Sequence, residues 1–154
     1  MQKTAHISDC ENYRWILNRK WEDGKSMAFV LLNPSTADHE NDDPTLRRCI
    51  GFAKREGCGS LTIVNLFAYR SSKPADLKIV EDPIGAENDH YLEQALNSAD
   101  IIVCGWGGFP MAEKQSLIFK IRFHELGLYC LGLTQKGAPK HPLYLKQEAP
   151  IIPY

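Results

Sequence analysis

Between Phe29 and Thr45 the chain reads FVLLNPSTADHENDDPT. Phe29, Val30, Leu31 and Leu32 form an apolar run too short for a helix and suited to a strand covered on both faces, as in the middle of a parallel sheet. Asn33-Pro34 then ends the ladder, because proline offers no N–H. The polar loop that follows is longer than the roughly 2–6 residues usual between a strand and a helix. In open α/β sheets ligands bind outside the carboxyl ends of the strands, so Asn33, Ser35, Thr36 and Asp38 are expected ligand contacts.

The same pattern recurs along the chain. Pro44 opens a helix expected to run to about Glu56, with Asp43 as its N-cap and Leu46, Cys49, Ile50 and Ala53 at helical spacing. Leu61 to Leu66 reads as a strand reaching Asn65, followed by a loop whose Tyr69 and Arg70 are, with Asn65, further expected ligand contacts. A helix over Gly85 to Asn97 leads to the strand Ile101 to Cys104, which runs into Gly105-Trp106-Gly107-Gly108. Met111 to Leu126 carries Leu117, Ile118, Ile121 and Leu126 as an apolar stripe, and Leu128 to Leu133 is a last strand before TQKGAPKHPLYL. Upstream, Asp23-Gly24 lies between two strand-like segments, Tyr13 to Trp21 and Lys25 to Leu32, which predicts an N-terminal β-hairpin. Alternating strands and helices predict an α/β fold: a three-layer α/β/α arrangement with a mostly parallel four-stranded core sheet.

With 154 residues, 44% of them hydrophobic, the chain is long enough for one sizeable core and short for two, so residues 1–154 are expected to form a single domain. A net charge of -1 gives no bulk attraction to a polyanion, so any nucleic-acid contact has to be local. Five scattered cysteines without a C-x-x-C pair, and no signal-like or membrane-spanning run, point to reduced thiols, a cytoplasmic location and no membrane partner. Cys104 and Cys130 lie in apolar runs and read as buried structural residues. Oligomeric state is not readable.

If four parallel strands end near Asn33, Asn65, Gly105 and Thr134, their loops share one edge of the sheet, and Asn33, Asn65, Trp106 and His141 converge there. An asparagine amide suits positioning a water or reading the edge of a nucleobase. His141, before a proline on a loop, suits donating to developing negative charge, and Trp106 suits stacking on a ring. Arg47 and Arg48 on the first helix, with Arg70, form a candidate phosphate clamp. Asp38, His39 and Asp42 raise metal-dependent hydrolysis as a further reading, but their spacing matches neither an EF-hand nor a zinc pattern, and no metal or cofactor is assigned. The glycine loop lacks both dinucleotide and P-loop fingerprints.

LLNPSTAD, DPTLRRC, VNLFAYR and CGWGG resemble the family catalogued as domain of unknown function 1643, over about Asp9 to Lys146. The arrangement is also similar, remotely, to the uracil-DNA glycosylase superfamily, whose mismatch-specific branch has a first motif G-I-N-P-G and whose last motif is close to H-P-S-P-L. That resemblance implies a compact α/β/α fold with a parallel core. It implies that Asn33 positions the attacking water, Asn65 reads the base and His141 stabilises the departing base anion. Leu31 and Ser35 replace the glycines of the first motif, and His141-Pro142-Leu143 lacks the Ser-Pro of the last. The expected function is an N-glycosidase acting on a modified or deaminated base in nucleic acid or a nucleotide. The alternative is a nucleotide or nucleic-acid binding module without chemistry.

Overall fold

The computed structural model describes residues 1–154. Seven strands form one sheet: β1 (Gln2–Ile7), β2 (Arg14–Lys20), β3 (Ser26–Leu31), β4 (Ser60–Asn65), β5 (Ile101–Cys104), β6 (Leu128–Cys130) and β7 (Ile152–Pro153). Their order is β1-β2-β4-β3-β5-β6-β7. The helices are α1 (Pro44–Arg55), α2 (Asn88–Ser98) and α3 (Ala112–Arg122), with short 3-10 turns at Pro74–Lys78 and Pro142–Tyr144. None of the helices is long and apolar enough to cross a membrane.

Two apolar clusters flank the sheet. Met27, Phe29 and Leu31 of β3 pack with Leu46, Cys49, Ile50, Phe52 and Ala53 of α1. Ala28 and Val30 pack on the other side with Leu92, Ala95 and Leu96 of α2 and Phe119 of α3. The alternation along β3, apolar at every position from Met27 to Leu31, is what lets one strand serve both clusters. Cys104 and Cys130 are buried free thiols, and burial pushes the Cys104 thiol up.

The sheet is larger and more mixed than the expected four strands. Three ladders are parallel, β3 with β4, β3 with β5 and β5 with β6. Three are antiparallel, β1 with β2, β2 with β4 and β6 with β7. The expected hairpin is not there: β4 lies between β2 and β3. Glu22-Asp23-Gly24 reverses the chain, with Gly24 at φ +132, but it does so by crossing the start of β4. Trp21 N and Glu22 N both donate to Gly59 O, and Gly59 N donates to Lys25 O. A Cβ at Gly59 would lie 2.3 Å from Glu22 O, so only glycine allows the crossing. A turn sequence fixes reversal, not adjacency. The N-terminal hairpin is instead β1 with β2.

Two helices differ from their sequence pattern. α2 starts at Asn88, three residues later than Gly85. In α3, Leu117, Ile118 and Ile121 are 60%, 48% and 66% exposed, whereas Phe119 and, at the helix's C-cap, Phe123 are buried. The two rings meet at 4.9 Å and Phe119 meets Trp106 edge-on at 5.3 Å, so the helix turns its larger aromatic side chains inward. β6 stops at Cys130 rather than Leu133, which forms an isolated bridge with Pro139.

Candidate functional site

At the carboxyl end of β3 and β5 lies a cleft of about 580 Å³. Its walls are the loop after β3 (Asn33, Ser35, Thr36), the start of α1 (Asp43, Pro44, Thr45), Ser71 and Ser72, the loop Trp106–Phe109, and the turn carrying His141 and Tyr144. Of the residues expected at the site, Asn33, Ser35, Thr36 and His141 come together here; Trp106 borders the cleft but is 2% exposed, its ring held edge-on by Phe119 and Tyr154 in the core, so it offers no free face for stacking.

The Asn33 amide is half committed. Its Nδ2 donates to the carbonyls of Ser71 (2.9 Å), Pro34 (3.2 Å) and Tyr69 (3.4 Å), which ties the loop after β4 to the end of β3. Its Oδ1 makes no hydrogen bond within the protein and is available as an acceptor.

His141 caps the Pro142–Tyr144 turn, its Nδ1 accepting the Leu143 N–H at 3.2 Å. Nδ1 is therefore the bare nitrogen and Nε2 carries the proton. Burial pushes the imidazole below its usual range, against the opposing pull of Asp43, so a neutral ring with one donor faces the cleft. Gly107, at φ +76, passes beside it: a Cβ there would lie 3.7 Å from the His141 Cβ. Asp43 is the N-cap of α1, Oδ1 accepting from Leu46 N at 2.8 Å and Oδ2 from Ala37 N at 3.3 Å. The same carboxylate lines the cleft.

Other expected residues have other partners. Asn65 is 1% exposed and does not line the cleft, because its position next to Leu31 places it inside the sheet rather than beyond it. Asp38 Oδ1 accepts the backbone N–H of Glu40 and Asn41, bonds that hold its carboxyl down at about 2 and close the loop on itself. Tyr69 meets Tyr13 edge-on at 5.8 Å. Arg70 donates to Ser35 O and Glu11 O in a shallow hollow beside the cleft. Arg47 is exposed and donates to Asp42 O. Neither Arg47 nor Arg48 lines the cleft, so the expected clamp with Arg70 does not form there. Asp42 binds Arg19 and His39 points to Glu40, so Asp38, His39 and Asp42 do not form a set of ligands.

The family model for "Protein of unknown function (DUF1643)" matches residues 14–143. The chain belongs to this family. No curated protein and no solved structure matches it. The DUF1643 match runs from the first residue of β2 to the turn after His141 and contains every residue of the cleft named above except Tyr144.

Within the DUF1643 region, two residues not singled out from the sequence shape the site. Arg14 and Arg19 bracket the apolar stretch of β2, and both are buried, at 3% and 1% exposure. The β1–β2 register steps from His6↔Ile16 to Ile7↔Arg14, so Trp15 is the extra residue of a β-bulge, and Arg14 joins Leu17 on the face toward α1. Arg19 binds Asp42 (3.0 Å) and the carbonyls of Asn18, Asp38 and Asn41, holding the loop before α1. Arg14 donates to Ala37 O at 3.1 Å, and burial brings its guanidinium down to about 10, still a cation at neutral pH. It lines a chamber of about 40 Å³ that shares Asn33, Ser35, Asp43, Thr45 and His141 with the cleft. Arg14 abuts the apolar run Trp15-Ile16-Leu17, but nothing in that spacing tells which face it takes. On the far side of Trp106–Phe109 a separate cavity of about 400 Å³ is lined by Lys120, Lys136 and Tyr154.

Proposed function

We propose that the cleft binds a nucleobase-containing ligand and hydrolyses its N-glycosidic bond. One observation carries this reading: a neutral His141 with a free Nε2–H and an Asn33 with a free Oδ1 line the same cleft, together with the Asp43 carboxylate. The bond from the sugar carbon to the base nitrogen breaks with its electron pair going to the base. His141 Nε2–H donates to the base as that charge grows, a role that needs a donor but no positive charge. Asp43 offsets the positive charge on the sugar. Asn33 Oδ1 accepts a hydrogen bond from the attacking water, whose oxygen bonds to the sugar carbon and whose proton ends on the departing base. The likeness of LLNPS and HPL to glycosylase motifs supports the roles of Asn33 and His141. Asn65 takes no part in base reading; the hydroxyl residues Ser35, Thr36, Thr45 and Ser72 are among the polar groups that line the cleft beside them.

The test is mass spectrometry of bases released from single- and double-stranded oligonucleotides carrying uracil and other altered bases. The wild type releases base, and Asn33→Ala and His141→Ala do not while keeping a cooperative thermal transition. Release retained in both variants removes the proposed roles.

A second reading, binding without chemistry, is favoured by one fact: Asn33 Nδ2 is already used to tie loops together. It predicts saturable nucleotide binding by calorimetry with no released base. Absence of binding to any nucleobase-containing ligand counts against both readings.

A further inference from the structure

The two buried arginines of β2 are satisfied unequally. Arg19 has a carboxylate, Asp42, and three carbonyls around its guanidinium. Arg14 has one carbonyl, Ala37 O, while its Nε is buried with no partner. Asp43 is close enough to favour the charge on Arg14, but it makes no ion pair with it, and both Asp43 oxygens are held by backbone N–H groups. Arg19 and Arg70 act in the opposite direction. An incompletely paired cation in a core is costly, and a chain normally avoids it.

Its surroundings leave room for a partner. Arg14 lines the chamber that shares five residues with the cleft. Both amide atoms of Asn65 are likewise buried without a partner. Asn65 follows Ile63 by two on β4 and pairs in register with Leu31, and Ile63 and Leu31 line that chamber. Unpaired polar atoms therefore gather at one end of the sheet, under the cleft. A water-sized atom needs about 10–15 Å³, so about 40 Å³ takes the oxygens of one small group and excludes a ring.

We infer that Arg14 is a ligand-binding residue, and that the chamber takes an anionic oxygen group, carboxylate or phosphate, carried by the ligand of the cleft. This rests on the cleft being a ligand site and not on glycosidic cleavage. It narrows the ligand class from nucleosides to anion-bearing molecules such as nucleotides. It also accounts for a cation kept where an apolar side chain would fold at least as well.

The test is thermal denaturation of the full chain at fixed ionic strength, in chloride and then with acetate or inorganic phosphate replacing it. One of the two anions raises the wild-type Tm by about 3–6 °C at ten times its Kd. Arg14→Met, which removes the charge and keeps the bulk, melts no lower than wild type in chloride and shows no anion-dependent rise. A response to acetate alone identifies a carboxylate site, and one to phosphate a phosphoryl site. No rise with either anion, or an equal rise in Arg14→Met, overturns the inference. Should Arg14→Met fail to fold, NMR of the wild-type arginine Nε–H groups decides: the signal missing from Arg14→Lys shifts on anion titration, and an unmoved signal overturns the inference. Anion binding without base release leaves this inference standing and removes the glycosidase reading.

Discussion

His141 combines two properties that sequence separates: it caps a turn through Nδ1, which leaves Nε2 as its donor, and it lines the cleft. Its pKa is lowered by burial, so the unfolded chain binds the proton more readily than the folded one. The stability tied to this residue is fully present above the unfolded value of about 6.5 and is lost as pH falls through that value toward the folded one. Urea denaturation at about pH 7.5 and about pH 5.5 therefore shows a larger loss for wild type than for His141→Gln. Arg19 gives a second prediction. Arg19→Met removes its bonds to Asp42 and three carbonyls, and costs about 3–5 kcal/mol in denaturant unfolding, in contrast to Arg14→Met. Asp43 was legible as a cap from Asp-Pro before an apolar helix pattern, and it is one. Its loop was legible as a place for a site, but that Asp43, alone of the loop's acidic residues, borders the cleft was not, because a cap residue gives no sign of which cavity it borders. Arg14 was hidden by the bulge at Trp15, which no alternation pattern reveals.

At the scale of elements, the connection from β2 to β3 decides the sheet order. Because it crosses the start of β4 at Gly59, where a Cβ would run into backbone, Gly59→Ala costs about 3 kcal/mol or more by overpacking. Gly57→Ala, where φ is +77 but a Cβ would meet nothing within 4 Å, costs only the strain of its backbone, roughly 1–2 kcal/mol. Urea unfolding of the two variants side by side checks the order, and equal losses would contradict the crossing. α1 was readable to within a residue because its cap, its first-turn proline and its apolar face all agree. α3 was misread because it carries two candidate apolar faces, and spacing alone does not tell which will be buried. The contact of Phe119 with Trp106 and Phe123 settles it, and those are tertiary facts.

Across the whole molecule, the cleft sits where strand ends and loops from five parts of the chain meet, and α1 and the Pro142–Tyr144 turn close two of its sides. That location followed from Phe29–Leu32 ending at Asn33-Pro34, since the carboxyl edge of parallel strands is where loops gather. The exclusion of Asn65 did not follow, because a strand's last residue and the first residue beyond it look alike in sequence and differ wholly in access. On the proposed function, a neutral His141 donates from Nε2 to a nucleobase-containing ligand in this cleft. Long-range 1H–15N NMR of the imidazole at about pH 7, without and with uridine 5′-monophosphate, tests it. The expected result is a neutral ring protonated on Nε2 whose Nε2 signal moves as the nucleotide saturates. A ring protonated on both nitrogens or on Nδ1 alone, or an Nε2 signal unmoved by the nucleotide, would contradict it.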